Sequence, residues 1–203
     1  REIVRMKFSV SRDALIKPLN LVAGVVERRQ TLPILSNVLL SLEGSRLSLT
    51  GTDVEVELVG RIEVQNDGPD GDITVPARKL VDICKSLPDG VDIAFSVEDG
   101  RVTVKAGRSR FTLSTLPAAE FPTVEAGEGE IDLELAQTLV RQMIDRTGFA
   151  MAQQDVRYYL NGMYMEIKEG RLRFVATDGH RLALCTAPGQ VEAEDKSVIV
   201  PRK

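Results

Sequence analysis

The sequence repeats itself at a spacing of 125 residues, and this repeat limits the chain to folds built from copies of one module. Residues 46–53 (RLSLTGTD) match residues 171–178 (RLRFVATD), and residues 75–79 (VPARK) match the shorter stretch 200–203 (VPRK). A third stretch, the apolar positions of residues 14–22, is in phase with residues 139–147. Three separate stretches with one offset indicate a duplication rather than chance similarity.

The repeat predicts the domain organisation. Residues 1–5 precede the methionine that opens the first patterned strand, and we interpret them as upstream or vector-derived. A first module is expected over residues 6–124, a linker over 125–130 and a second module over 131–203. Patterned sequence continues for about 45 residues beyond Lys79, whereas the second copy stops at the matching Lys203. We therefore expect the second module to be incomplete at its C-terminus.

The first module contains a further half-repeat of strands and helices. A strand over residues 7–10 is followed by a helix that Ser11 caps, that Pro18 bends and that ends near residue 26. Alternating apolar residues predict strands at 38–42, 46–50, 54–64, 73–75, 91–97, 101–105 and 110–115, with a second helix at 76–87. This order predicts an α+β fold of repeated β-α-β-β-β units with antiparallel sheets, and it leaves the strand order within the sheets open.

Composition excludes several classes of protein. With 43% hydrophobic residues the chain can fill a core, and no apolar run approaches the roughly 20 residues that span a bilayer. No signal peptide is visible, and the two cysteines lie in apolar surroundings in different modules. We interpret them as buried free thiols in the reducing cytoplasm.

Charge is distributed unevenly along the chain, although the net charge is only −4. The helical segments 12–29 and 76–88 carry seven basic and three acidic residues. The strand-rich segments 36–75 and 89–133 carry 17 acidic and 6 basic residues. This pattern favours binding of a polyanion at the helices, because the rest of the surface would repel it.

The only histidine, His180, lies in the stretch 178–181 (DGHR). Paired with Asp178 it could serve a hydrolase, but no serine or cysteine nucleophile and no metal-ligand set is indicated nearby. The other interpretation is a polar turn between two strands, as in the matching residues 52–55. We expect no catalytic residue, no metal and no cofactor.

Two further features could contact a ligand. The stretch 154–160 (QDVRYYL) places two tyrosines beside glutamine and arginine just before a strand, where they could contact a sugar-phosphate backbone, stack on a base, or pack at a sheet edge. Basic residues also follow Pro76 and Pro201, at or near helix starts, where cations oppose the helix dipole. A role outside the helix, such as contact with a ligand, would explain these basic residues.

Several longer motifs carry a resemblance to a known family. They are residues 31–35 (TLPIL), 49–53 (LTGTD), 114–118 (STLPA), 155–163 and 176–182 (ATDGHRL). On these motifs the chain resembles the bacterial sliding clamps, the β subunits of the DNA polymerase III holoenzyme, from Met6 to Lys203. The resemblance implies a DNA-clamp fold with three modules per subunit. It also implies that two subunits close head to tail into a ring, with helices on the inner face and antiparallel sheets outside.

The resemblance further implies a non-enzymatic processivity factor. Such a ring encircles double-stranded DNA without sequence preference and tethers the polymerase III α subunit, the clamp loader and other proteins with clamp-binding motifs. It implies DNA contacts at Arg29, Arg78, Gln154, Tyr158, Tyr159 and Arg202. It implies a partner-peptide pocket that includes Leu160, Thr177, Gly179, His180, Arg181 and Leu182, completed by segments absent from this chain. It implies a dimer edge at Arg108, Arg110 and Phe111. A peptide-binding hub without DNA contact is a second alternative.

Overall fold

A computed structural model describes residues 6–26, 32–98, 100–122 and 133–202. The chain forms two compact units, Arg1–Glu125 and Ala126–Lys203. The predicted linker over residues 125–130 lies outside the described residues, as do residues 1–5.

Unit 1 contains nine strands and two helices among its described residues. In chain order they are β1 (Lys7–Ser11), α1 (Arg12–Ala23), β2 (Asn37–Glu43), β3 (Arg46–Thr52), β4 (Glu57–Glu63), β5 (Gln65–Asn66), β6 (Gly71–Pro76), α2 (Ala77–Ser86), β7 (Asp92–Glu98), β8 (Arg101–Ala106) and β9 (Ser109–Ser114). Short 3-10 turns cover Pro33–Ser36 and Ala118–Glu120.

The strands of unit 1 form two antiparallel sheets that exchange their first strands. One sheet has the order β5-β1-β7-β8-β9 and the other β4-β3-β2-β6. The strand that precedes α1 therefore pairs with β7 of the second half-repeat, and the strand that precedes α2 pairs with β2 of the first. The predicted β-α-β-β-β order is confirmed, and the exchange fixes the two halves to each other.

Helix α1 begins as predicted, because the Ser11 side chain accepts a hydrogen bond of 3.2 Å from the Ala14 backbone N–H. Its predicted end near residue 26 is wrong, since the helix stops at Ala23 and Gly24 forms its C-cap. Val25 and Val26 are buried in the core immediately after the helix. Their apolar character thus reflects burial outside a helix, which a periodicity argument does not separate from another helical turn.

Two glycines allow α1 to lie close to the sheet. A Cβ on Gly51 would stand 2.6 Å from the Val22 carbonyl oxygen, and one on Gly60 would stand 2.9 Å from the Pro18 Cβ. Any larger residue there would push the helix away from β3 and β4.

The predicted strand over 54–64 is wrong at its start, because residues 53–56 form a turn and β4 begins at Glu57.

The core of unit 1 lies between the helices and the two sheets. Phe8 and Phe95 are cross-strand partners whose rings stack with centroids 4.6 Å apart. Cys84 is a buried free thiol, and burial raises its pKa to about 11.

Unit 2 contains one helix and four strands among its described residues. They are α3 (Gln137–Thr147), β10 (Gly162–Lys168), β11 (Arg171–Thr177), β12 (Leu182–Thr186) and β13 (Lys196–Pro201). The sheet order β12-β11-β10-β13 is the order of β4-β3-β2-β6 in unit 1. The bounds of β10, β11 and β13 differ from those of β2, β3 and β6 by the 125 residues of the sequence repeat.

Even single contacts follow the repeat. The backbone N–H of Gly44 donates to Asp70 Oδ1 at 2.9 Å, and that of Glu169 donates to Asp195 Oδ1 at 2.8 Å. The core of unit 2 packs α3 against one face of the sheet around Met143, Leu172 and Phe174. Within the described ranges, no helix is both long enough and apolar enough to cross a membrane.

Candidate functional site

The turn between β11 and β12, residues 177–181, is held by its own side chains. Asp178 Oδ1 accepts hydrogen bonds from the backbone N–H groups of His180, at 2.9 Å, and Arg181, at 3.0 Å. Thr177 Oγ1 accepts from the Gly179 N–H at 3.1 Å and donates to the Arg181 carbonyl at 2.7 Å. Arg181 Nε in turn donates to Asp178 Oδ2 at 2.9 Å. The turn therefore has a defined shape without help from a ligand.

These bonds decide between the two interpretations of Asp178. Hydrogen bonds from the backbone N–H groups of His180 and Arg181 lower the pKa of its carboxyl group. A carboxylate engaged in this way is a weak proton acceptor and serves to close the turn. The geometry favours the turn over a hydrolase that uses Asp178 and His180.

Unit 1 contains the same turn at residues 52–56. Thr52 Oγ1 donates to the Val56 carbonyl at 3.0 Å and accepts from the Val54 N–H at 3.0 Å. Asp53 Oδ1 accepts from the N–H groups of Glu55, at 3.0 Å, and Val56, at 2.8 Å. The hydrogen-bonded turn is thus common to both copies. The second copy differs by Gly179, His180 and Arg181, which stand where the first copy has residues 54–56.

A loop over residues 151–161 carries the two tyrosines and is closed at its base. The Asp155 N–H donates to Asn161 Oδ1 at 2.9 Å, and Asn161 Nδ2 donates back to the Asp155 carbonyl at 2.8 Å. The Ala152 N–H donates to the Leu160 carbonyl at 2.9 Å. Gln154, at the bend, has a φ of 57°, which only a few per cent of non-glycine residues adopt.

Within this loop Arg157 forms a bidentate pair with Asp155. Its Nε lies 3.0 Å from Asp155 Oδ1 and its Nη2 lies 2.8 Å from Oδ2. The pair lowers the pKa of Asp155 from 3.8 to about 2, chiefly through the side-chain hydrogen bond from Arg157. The sequence alone predicts no role for either residue, although both stand in the stretch 154–160.

The guanidinium of Arg157 also lies against the turn. A Cβ built on Gly179 would stand 3.5 Å from both terminal nitrogens of Arg157. The loop and the turn, which are separated in sequence, therefore lie next to each other at this point. Sequence patterns give no signal for this proximity, because it depends on tertiary structure.

The two adjacent tyrosines are open to solvent. The side chain of Tyr158 is 81% exposed and that of Tyr159 is 50% exposed, with their rings in an edge-to-face arrangement at 5.8 Å. This exposure disfavours the alternative in which both pack at a sheet edge. Leu160, the next residue, is buried, so its side chain anchors this end of the loop in the protein interior.

Arg202 lies at the base of the same loop. Its backbone N–H donates to the Asn161 carbonyl at 3.2 Å, and its Nη1 lies 3.4 Å from the Met151 carbonyl. The structure thus places Arg202 at the base of the loop that carries Gln154, Tyr158 and Tyr159. Arg78 is an exposed residue of α2 in unit 1, and Arg29 lies outside the described residues.

Exposed apolar side chains flank the turn. Leu182 directly follows it and is 65% exposed, and Phe149 is 58% exposed. The Arg181 guanidinium lies 5.7 Å from the centre of the Phe149 ring, within the range of a cation–π contact. The sequence does not predict a role for Phe149, since a lone aromatic residue after a helix has no distinctive pattern.

The predicted dimer edge coincides with a strand at the end of a sheet. β9 is terminal in the order β5-β1-β7-β8-β9 and pairs with β8 among the described residues. Arg108 and Arg110 are exposed, whereas Phe111 is half-buried against the core. An edge strand presents backbone N–H and C=O groups that another strand can pair with.

The structure also locates the uneven charge. The strands of unit 1 carry equal numbers of acidic and basic residues, while α2 carries three basic residues and one acidic residue. Among the described residues of the strand-rich segments, the excess of acidic residues therefore lies outside the strands. The basic excess of α2 remains on an exposed helix surface through Arg78, Lys79 and Lys85.

Unit 2 repeats one α+β half-module of unit 1, including the turn that threonine and aspartate side chains close. This repeated arrangement defines a protein of the DNA-clamp class. The chain matches the family model of the DNA polymerase III beta subunit N-terminal domain over residues 6–125, and that of the central domain over residues 134–203. The chain belongs to the DNA polymerase III β subunit family of sliding clamps. The predicted clamp fold is confirmed.

Relatives and solved structures agree with this assignment. The beta sliding clamp of Pseudomonas aeruginosa is 65% identical over 199 residues, and that of Escherichia coli K12 is 52% identical over 198 residues. Both alignments cover 98% of this chain and 54% of the relative. The chain thus spans about half the length of these relatives.

Among solved structures, the DNA polymerase III subunit beta from P. aeruginosa superposes with a TM-score of 0.91 at 64% identity, covering 97% of this chain and 54% of that one. A sliding clamp from the same species bound to griselimycin gives a TM-score of 0.92 at 64% identity, covering 98% of this chain and 54% of that one.

Proposed function

We propose that this chain is the N-terminal part of a ring-shaped sliding clamp, a cytoplasmic, non-enzymatic processivity factor that encircles duplex DNA. One observation carries the proposal: both units match the β-subunit family models, and the sliding clamps aligned here are 52% or more identical over nearly the whole chain. In this proposal the helices face the DNA and the sheets lie outside.

The proposed DNA contacts are suited to sliding. Arg29, Arg78 and Arg202 supply cations for phosphates, and such contacts are independent of sequence and weaken with salt. Tyr158 is exposed enough to contact a sugar or a base, and Gln154 is exposed in the same loop. Retention on DNA comes from the closed ring, so these contacts need little affinity.

The turn over residues 177–181 is the proposed start of a partner-peptide pocket. Exposed Leu182 offers an apolar surface, buried Leu160 lies in the neighbouring loop, and the backbone of the turn is fixed by Asp178. An apolar surface beside a rigid polar turn fits short linear motifs with hydrophobic anchors. The polymerase III α subunit and the clamp loader are the proposed partners. The P. aeruginosa clamp bound to griselimycin makes that compound a suitable probe.

Ring closure is proposed at β9. Its outer edge, with exposed Arg110 and half-buried Phe111, would pair with a strand of a second subunit, and exposed Arg108 lies just before the strand. A homodimer formed in this way would have two such junctions.

The test uses the protein extended to the length of its relatives, loaded on a nicked circular plasmid and on the same plasmid made linear. In moderate salt a clamp stays on the circle during gel filtration and runs off the ends of the linear form. Equal retention on both forms would reject the ring. Binding of griselimycin without any retention on circular DNA would support a peptide-binding hub in its place.

A further inference from the structure

Arg157 joins the tyrosine loop (residues 151–161) to the Gly179 turn (residues 177–181). Three contacts hold it: its N–H and Nε donate to Asp155 Oδ1 at 2.8 and 3.0 Å, and its Nη2 donates to Oδ2 at 2.8 Å. The terminal nitrogens of the same guanidinium, Nη1 and Nη2, lie close to Gly179, where an added Cβ would be 3.5 Å from each. The side chain is about half exposed, so the contact is made at the surface and not in the core.

We propose that Arg157, oriented by Asp155, is a positioning residue that sets the geometry of the Gly179 turn and transmits changes in the tyrosine loop to it. The inference rests on the proposed function, in which the loop contacts DNA and the turn receives partner peptides. DNA on the loop would then alter the turn that partners bind.

A short series of hydrogen bonds fixes the position of the Arg157 side chain. Asn161 holds the backbone of Asp155 from both sides, at 2.9 and 2.8 Å, and Asp155 holds the guanidinium at two nitrogens. A bidentate arginine–carboxylate pair fixes both the position and the plane of the guanidinium. Lysine cannot reproduce this plane, because its ammonium group is a single point of charge.

The tyrosines are tied to the same residue through the backbone. Tyr158 directly follows Arg157 and opens the 3-10 turn Tyr158–Asn161, in which the Leu160 N–H donates to the Arg157 carbonyl at 2.9 Å. A ligand that moves the exposed Tyr158 therefore acts on the backbone that carries Arg157. Such a contiguous set of contacts can carry coupling between two sites.

Unit 1 provides an internal control. Its turn over residues 52–56 has the same hydrogen bonds, but the position equivalent to Arg157 is Leu32, which is 52% exposed. Leucine cannot form the carboxylate pair. A response carried by Arg157 should appear at residues 179–181 and be absent at residues 54–56.

The experiment follows backbone amide signals of this chain by NMR while a mixed-sequence duplex of about 20 base pairs, two helical turns, is added at low salt. In the unsubstituted chain the duplex should shift Tyr158 and Tyr159 and also Gly179 and His180. Arg157→Ala should remove the Gly179 and His180 shifts, and Arg157→Lys should reduce them. Arg171→Ala is the matched control, since it removes an exposed arginine of β11, in a sheet that the proposed ring places on its outside.

Hydrogen exchange without DNA tests the positioning role directly. The His180 N–H, bonded to Asp178, should exchange about tenfold faster in Arg157→Ala and in Asp155→Asn, because the turn opens more often when its support is lost. The Glu55 N–H of unit 1 should be unchanged in both.

The outcomes separate the two proposals. If Tyr158 and Tyr159 respond to the duplex while Gly179 and His180 do not, the transmission is overturned and the DNA contact stands. If no loop signal responds, the proposed DNA contact is rejected, and the proposed transmission is rejected too because it depends on that contact. An unchanged His180 exchange rate in both variants overturns the positioning role in either case.

Discussion

Val54 and Gly179 occupy the same position in the two copies of the repeated turn and share a left-handed backbone, with φ of 82° and 89°. Glycine adopts this conformation readily, whereas a β-branched residue is strained in it. Both turns keep the same four hydrogen bonds to threonine and aspartate side chains. The repeat therefore imposes the conformation, and only the second copy has the residue that suits it.

Val54→Gly is expected to stabilise unit 1. Relief of the left-handed strain is worth about 1–2 kcal/mol, and the extra freedom of glycine in the unfolded chain costs about 0.5–1 kcal/mol. Because Val54 is 56% exposed, little apolar burial is lost. The net gain should be roughly 0.5–1 kcal/mol, measured by urea unfolding followed at unit 1 amide signals. A loss of stability would show that the Val54 side chain contributes more than its backbone costs.

Gly179→Ala is expected to destabilise unit 2 by about 1–2 kcal/mol, the cost of a left-handed non-glycine residue. The added methyl group would meet Arg157 at 3.5 Å, which is an ordinary contact, so the cost comes from φ. Gly189→Ala is the control, with a φ of 85° and nothing within 4 Å of the new Cβ. Similar losses in urea unfolding would confirm this account, and a much larger loss at Gly179 would point to the Arg157 contact.

The repeat made much of the fold predictable, because an offset of 125 residues applies to strands, sheet order and single hydrogen bonds alike. The exchange of β1 and β6 between sheets was not predictable, since strand periodicity says which face is buried and not which strand lies alongside. The tyrosine loop and the Gly179 turn were both visible as motifs. Their contact through Arg157 was not, because it depends on tertiary structure that local patterns do not encode.

Single arginine substitutions are expected to weaken DNA binding equally on unrelated sequences. In the ring, Arg78→Ala and Arg29→Ala should each reduce the slope of log affinity against log salt by about 1, as expected for one lost phosphate contact. Arg61→Ala is the matched control, because it removes an exposed arginine from β4, which the proposed ring places on its outside. Fluorescence anisotropy with two unrelated duplexes measures both quantities. A change in sequence preference would contradict contacts confined to the backbone.

Asp155 is expected to remain ionised down to about pH 2, since Arg157 lowers its pKa from 3.8 to about 2. A carboxyl group whose pKa is lower in the folded state stabilises it above the unfolded pKa, and this contribution is lost as pH falls through the folded value. The loop should therefore loosen between about pH 4 and pH 2. Carboxyl ¹³C shifts report the titration, which should move back towards 3.8 in Arg157→Ala and stay unchanged in Arg141→Ala.

Asn37 and Thr74 form a buried pair that the second copy replaces as a unit. Asn37 Nδ2 donates to Thr74 Oγ1 at 2.9 Å, and the same hydroxyl bonds the backbone of Leu116 at 2.8 and 3.1 Å. The equivalent residues of unit 2 are Gly162 and Ile199, and a Cβ on Gly162 would lie only 2.6 Å from the Ile199 Cγ2. The same Cβ would lie 2.8 Å from the Val200 carbonyl oxygen, so the isoleucine side chain and this backbone oxygen together leave room only for glycine.

The two substitutions in unit 1 are accordingly expected to be strongly non-additive. Thr74→Ile alone should cost about 3 kcal/mol or more, because it crowds Asn37 and leaves buried polar groups without their partner. Asn37→Gly should cost about 1–2 kcal/mol through the lost hydrogen bond and added backbone freedom. The double variant should be more stable than the sum of the two predicts by at least about 1 kcal/mol, since glycine opens the space that isoleucine fills. Urea unfolding of the four proteins gives this coupling energy, and additive losses would show that the pairs in the two units are not structurally interchangeable.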